Sequence, residues 1–399
     1  MTAGAWSGTF AALCAILVGV GLARFAYTPL IPALVEERWF TPPEAAYLGA
    51  ANLAGYLAGA LLGPVMAARI PVRVLLRGMM LAAAVSFLAC AAPLPFAWFF
   101  LWRFVSGLAG AVLMVLAAPT VLPHVPAERR GLAGGVIFTS VGLGIAASGT
   151  LIPLLLGLGL RETWIGLGLL SLALTLAAWT GWPHAGPLDG AQAAVSQPPL
   201  RTALRLGALY LEYALNAVGV VPHMVFLVDF IARGLERGVA VGSWHWVLFG
   251  IGAITGPVLA GGLADRIGFG PALRVALLTQ TICVGWLALR TNGFALVVSC
   301  VVVGAFLPGS VSLVLGRVRE LAHGEGEAQR AWTFATLAFA IGQAIAAYGF
   351  SFLFSRTGSY ALLFGLGAAA LALAFIIDLA VGASRQGMTT SPADEPQAR

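Results

Sequence analysis

Four ionisable side chains lie deep inside otherwise apolar runs of this sequence: Arg24, Arg103, Glu212 and His223. A charge at the centre of a bilayer costs roughly 2.5–3.5 kcal/mol on insertion scales, so such residues are functional candidates by default. A guanidinium keeps its charge in any site, so Arg24 and Arg103 suit a fixed positive pocket for a carboxylate or other anion. Glu212 is a carboxyl that could take up and release a proton, and His223 could share that task or hydrogen-bond a solute. At about 100° per residue, Glu212, Asn216, Gly219 and His223 fall within one helical sector of roughly 60°. Asp229 falls outside that sector, near the far end of its run, and is set aside. Arg24 shares a face with Thr28 and is flanked by Tyr27, while Thr336, Gln343 and Tyr348 add polar groups to a later run.

The elements that must position these residues follow from composition. The 399 residues are 60% hydrophobic and only 10% charged. Ordinary globular domains carry about 25% charged residues, so a soluble enzyme, a nucleic-acid binder and a disordered scaffold are all excluded. All 22 basic residues are arginine. With no lysine there is no Walker-A lysine, no Schiff base and no lysine general base. The net charge of +6 is spread over short gaps between apolar runs, which predicts no nucleic-acid partner. Cys14, Cys90, Cys283 and Cys300 each sit inside an apolar run without a CxxC pair, so neither disulfide nor zinc site is expected, and no cofactor.

Twelve runs are long enough to span a bilayer, near 9–34, 45–67, 75–93, 96–121, 131–157, 163–182, 205–231, 243–263, 272–289, 293–315, 330–354 and 359–382. The first reads as a retained membrane helix rather than a cleaved signal. Short connectors make neighbouring helices antiparallel. Residues 184–204, rich in Pro, read as a cytoplasmic linker, and 384–399 as a disordered cytoplasmic tail. Fourteen arginines fall on one side, among them Arg69, Arg130, Arg266 and Arg330, against six on the other. Positive residues stay cytoplasmic, so both termini are placed there. Trp98, Trp102, Trp244 and Trp246 read mostly as interfacial anchors.

The chain also repeats itself. Gly142-Leu-Gly-Ile-Ala-Ala-Ser-Gly149 and Gly342-Gln-Ala-Ile-Ala-Ala-Tyr-Gly349 share five of eight residues at an offset of 200, and Arg130 matches Arg330. At an offset of 197, Gly55, Gly59, Arg69-Ile70 and Arg77 match Gly252, Gly256, Arg266-Ile267 and Arg274. Two six-helix units, 1–183 and 205–383, are therefore expected, and parallel repeats of this kind mark transporters with a solute site between the halves. Glycines four apart let helix backbones approach closely in lipid.

These features resemble the major facilitator superfamily over essentially the whole chain. Gly261-Gly-Leu-Ala-Asp-Arg-Ile-Gly268 is similar to the family's cytoplasmic loop signature, and Arg103-Phe-Val-Ser-Gly107-Leu-Ala-Gly110 to its fourth-helix signature. The run Arg24-Phe-Ala-Tyr-Thr-Pro29 resembles the bacterial YbfB/YjiJ-like branch. The resemblance implies the major facilitator fold, an all-α membrane protein of twelve transmembrane helices in two pseudo-symmetric bundles. It implies that helices one, four, seven and ten line a central cavity, where Arg24, Tyr27, Thr28, Arg103, Asn216, His223 and Gln343 would meet solute. It also implies a gating role for Asp265 and Arg266. The first half has Ala68 where the second has Asp265, so any such lock is asymmetric.

The sequence thus predicts a monomeric secondary active transporter of the bacterial inner membrane, with a small organic solute, anionic by its arginines, and protons coupled through Glu212 and His223. An efflux antiporter without anion preference and a non-transporting sensor are the alternatives. No HExxH or GxSxG motif supports an enzyme. The same residues admit structural roles: Glu212 pairing with Arg24 across the halves, Arg103 in packing or gating, and His223 as a satisfied histidine.

Overall fold

The computed structural model describes residues 3–126, 130–183 and 199–383. Among them there is no strand, and twelve helices are long and apolar enough to cross a membrane. They are α1 (Trp6–Glu36), α2 (Pro42–Ala67), α3 (Val72–Ala89), α4 (Phe96–His124), α5 (Val136–Leu156) and α6 (Leu160–Ala177), then α7 (Thr202–Gly234), α8 (Gly238–Ile267), α9 (Phe269–Leu289), α10 (Gly293–Leu321), α11 (Arg330–Thr357) and α12 (Tyr360–Val381). In lipid a helix is the one open-chain form that satisfies every backbone group internally, and short connectors then alternate its direction. The turns carry start signals. Glu44 accepts from the Thr41 backbone at 2.9 Å and from its hydroxyl at 2.7 Å ahead of Pro42-Pro43, and Asn292 accepts from the Ala295 amide at 2.8 Å to open α10. Of the expected linker 184–204, residues 184–198 lie outside the described residues, and the chain is already helical from Leu200. The expected tail, 384–399, lies wholly outside them.

The repeat is visible as packing. A Cβ at Gly55 or Gly59 of α2 would overlap the carbonyls of Phe104 and Leu108 on α4. At Gly252 and Gly256 of α8 it would overlap those of Val301 and Ala305 on α10. The matched arginines are equivalent too. Arg77 of α3 donates from Nε to the Trp179 carbonyl after α6 at 2.9 Å, while Arg274 of α9 pairs with Asp378 of α12.

We call the side carrying the chain ends of both bundles the terminal face, and the other the distal face. The bundles meet along α2–α11 and α5–α8, from mid-membrane towards the distal face. Tyr47 meets Tyr348 with ring centroids 6.4 Å apart, and Cβ atoms at Gly142 and Gly149 would strike the backbone of α8. Trp246 is not an interfacial anchor. It is fully buried, donates to Ser148 Oγ of α5 at 3.0 Å and lies parallel to Phe249 with centroids 5.0 Å apart. Two residues along a helix is about 200° of rotation, so exposed Trp244 and buried Trp246 look opposite ways.

The two helices facing each other across the molecular centre are both broken. In α1 a π-helical turn over Leu17–Leu22 precedes a second helical stretch from Tyr27 to Glu36. Pro29 has no N–H for the carbonyl four residues back and its ring crowds that carbonyl, which loosens residues 23–26. In α7, π-helical turns occupy Pro222–Phe226 and Phe230–Gly234. Such turns redirect side chains and often mark functional sites.

Candidate functional site

Arg24 sits in the loosened turn of α1, and Arg103 reaches it from α4. The Arg103 Nη1 donates to the Ala23 carbonyl at 2.8 Å, a group that belongs to that turn. Its guanidinium lies over the Tyr27 ring at 4.1 Å, and the Tyr27 hydroxyl in turn donates to the Ala45 carbonyl of α2 at 2.8 Å. Arg24 lies over Tyr56 at 4.8 Å and Phe25 at 5.3 Å. Aromatic faces offset part of a desolvated cation's cost, but they leave its charge in place.

Both guanidiniums line one cavity with Tyr27, Thr28, Asn52 and Met224. Its volume is about 20 Å³, room for roughly one water. Arg103 is only 3% exposed. The Nε atoms of both arginines are enclosed without a hydrogen bond, and among the described residues no carboxylate pairs with either side chain. Asn52 of α2 braces the wall, donating to Ser106 Oγ at 2.8 Å and to the Arg103 carbonyl at 3.3 Å. The second bundle contributes Met224 and Val225. The Thr28 hydroxyl donates to the Met224 carbonyl at 2.5 Å, a direct bond from α1 to the widened turn of α7. Gln343 of α11 donates to the Met224 sulfur at 3.2 Å, and Arg24 Nη2 approaches the same atom at 3.9 Å.

The structure therefore brings Arg24, Tyr27, Thr28 and Arg103 together, with Gln343 joined through Met224. It does not bring Glu212, Asn216 or His223 to them. Those three do share a face of α7, but that face turns into their own bundle. Asn216 donates to Gln280 of α9 at 3.3 Å. His223, fully buried, stands 2.8 Å from Ser299 Oγ of α10, whose single proton goes to the Cys283 carbonyl. The imidazole Nε2 is thus the donor, and Nδ1 has no partner.

Glu212 is 4% exposed and makes no hydrogen bond or ion pair among the described residues. The charges acting on it are Asp378, Arg317 and Arg274, all from its own bundle. The pairing with Arg24 weighed from sequence is absent, since Glu212 lies roughly 18 Å along α7 from Met224 at 1.5 Å per residue. Asp265 and Arg266 stand exposed at the terminal end of α8, and neither forms a side-chain ion pair among the described residues. Asp229 lies at the distal end of α7, within the second bundle, pairing with Arg233 and accepting from the Tyr360 hydroxyl at 2.5 Å.

Sequence reasoning missed Asn52, Tyr56 and Met224. A signal existed for the last. Arg24 and Met224 are 200 residues apart, the offset already visible in α5 and α11. Gly19-Val20 and Gly219-Val220 fall in the same register.

Three comparisons bear on what this arrangement serves. The profile of a family described as uncharacterised MFS-type transporter YbfB matches residues 16–379. A chloramphenicol resistance protein of Streptomyces lividans is 29% identical over 357 residues, covering 83% of this chain and 85% of that one. The crystal structure of a D-xylose-proton symporter superposes with a TM-score of 0.72 at 15% identity, covering 94% of this chain and 97% of that one.

Proposed function

The chain belongs to the YbfB-type transporters of the major facilitator superfamily, and from that premise we propose that it moves a small organic anion across a bacterial inner membrane, coupled to protons. It is a multi-pass membrane transporter, not an enzyme, and its partners are a small-molecule solute and the lipid around it. The observation that carries the finer reading is the pair of guanidiniums on one small cavity, neither paired with a carboxylate among the described residues. A buried Arg103 and a half-buried Arg24 without a counter-ion among the described residues are costly, and a bound carboxylate would supply what the protein leaves out.

In this reading Arg24 and Arg103 hold the anionic group, Tyr27 and Thr28 shape its seat, and Gln343 approaches from the other bundle. Asn216 and His223 fix the orientation of α7. Glu212 carries the proton in the second bundle, away from the charge it helps to move. With the arginine-rich terminal face in the cytoplasm, the conformation described is closed towards the outside, and opening would rock units 1–183 and 205–383 apart on that side. Asp265 and Arg266 would act at the inner mouth. One chain supplies both walls of the cavity, so a monomer suffices.

The test is transport in proteoliposomes carrying an internal pH dye. A panel of small carboxylates added under a pH gradient should produce proton movement with at least one of them. Arg24→Gln and Arg103→Gln should each weaken the apparent affinity about ten- to a hundredfold, the loss of one charged hydrogen-bonding group. Unchanged affinity in both would reject the anion site. A second reading, export of a neutral drug-like solute, is favoured by the chloramphenicol resistance relative. It predicts flux of chloramphenicol itself that is indifferent to both substitutions.

A further inference from the structure

Two strong donors from opposite bundles, the Arg24 guanidinium and the Gln343 amide, converge on the sulfur of Met224. A thioether is a weak acceptor, so neither donor is well satisfied by it. It is also the most adaptable of apolar side chains, unbranched and free about three bonds, so it can leave its place at little cost. Two further donor atoms beside the same cavity are idle: among the described residues the Nε atoms of Arg24 and of nine-tenths-buried Arg103 make no hydrogen bond. Met224 moreover stands at the repeat position of Arg24 itself, 200 residues on, so the charge of one repeat faces a sulfur in the other. With about 20 Å³ of free volume, the cavity admits a solute group only if a lining side chain withdraws.

Building on the anion reading above, we infer that the Met224 thioether is an internal stand-in for the solute's anionic head. It caps the closed site, and a carboxylate displaces it to take Arg24 from the first bundle and Gln343 from the second on the same oxygens. Gln343 is then a specificity-determining residue: it gives the C-terminal bundle its one direct polar hold on the solute. The bond from the Thr28 hydroxyl to the Met224 carbonyl stays in place while the methionine side chain swings, because the two involve different atoms of Met224. The class of solute follows: a carboxylate attached to an apolar body, which would lie against the displaced thioether and Val225.

The experiment labels a Met224→Cys variant in membrane vesicles with methanethiosulfonates bearing either a sulfonate or a trimethylammonium group. Rates are normalised to a free thiol in solution. The parent protein, whose four cysteines are buried, supplies the blank. The positive cavity should favour the sulfonate reagent about tenfold, adding Arg24→Gln should cut that preference to about threefold, and removing Arg103 as well should bring the ratio near one. Millimolar acetate, benzoate or phenylpropionate, against chloride at equal ionic strength, should then slow labelling. Adding Gln343→Leu should abolish that protection while leaving the charge preference intact. A missing charge preference overturns the anion reading and this inference together. A preference without protection by any of the three carboxylates, or protection that survives Gln343→Leu, overturns the inference and leaves the anion reading standing.

Discussion

At the scale of single residues, the site divides its labour unevenly between its two cations. Arg103 has a firm backbone partner in Ala23 and an aromatic floor in Tyr27, whereas among the described residues Arg24 meets aromatic rings and a thioether. Arg103→Lys should therefore lose function nearly as fully as Arg103→Gln, because an ammonium cannot both reach the carbonyl and present a planar fork to a carboxylate. Arg24→Lys, read by the same flux assay, should retain part of the affinity. Glu212→Gln keeps size and shape while removing the titrating group. It should abolish solute-driven proton movement yet leave solute exchange between the two sides of the membrane intact; proton movement at the wild-type level would remove Glu212 from the coupling. The positions of both arginines were legible because few charges survive inside apolar runs. The orientation of α7 was not. Its spacing put Glu212, Asn216 and His223 on one polar face, but both a cavity and the polar interior of its own bundle could receive that face, so periodicity could not say which does.

At the scale of elements, the broken helices α1 and α7 carry the contact that joins the bundles at the site. Thr28→Val removes one hydroxyl bond to the Met224 carbonyl without changing volume much. A neutral bond contributes about 0.5–1.5 kcal/mol, so the closed form should lose about two- to tenfold in population relative to the open one. A Tyr47→Cys probe at the distal seam, where Tyr47 meets Tyr348, should label correspondingly faster. Packing within bundles gives a second expectation. Gly256→Leu drives a side chain into the Ala305 backbone and should cost about 1–3 kcal/mol or more, lowering the unfolding temperature in detergent. Gly262→Ala meets nothing and, inside a helix, should hold that temperature or raise it slightly. The glycine spacing announced these approaches in the sequence. The π-helical turns were hidden, because Gly and Pro near 19–32 and 219–222 signal a disturbed helix but not its hydrogen-bond register. Trp246 was misread for a related reason: aromatic residues near a helix end suit the interface in general, and only tertiary packing against Ser148 and Phe249 made this one internal.

At the scale of the molecule, two copies of one unit have diverged in charge. The first bundle holds the fixed cations of the cavity, and the second holds Glu212 with Arg274, Arg317 and Asp378 around it. Repeat positions that remain structural have kept their function, as Arg77 and Arg274 show by tying α3 to α6 and α9 to α12. Other positions have not: at the centre Arg24 faces Met224, and at the terminal face Ala68 stands where the second half has Asp265. The architecture was readable from twelve apolar runs, their short connectors and the two offsets. The chemistry of the cavity was only half readable, since the sequence shows charges and the structure adds that no acid among the described residues pairs with them.

That absence of a counter-ion is the centre of the account, and a matched pair of solutes tests it most directly. Uptake into proteoliposomes would be measured for a carboxylate and for its primary amide, equal in size and shape but differing in charge. The account predicts that the acid is transported and the amide is not, and that Arg103→Gln erases the difference. Equal flux of acid and amide in the wild type, or a preference that persists in Arg103→Gln, would contradict it.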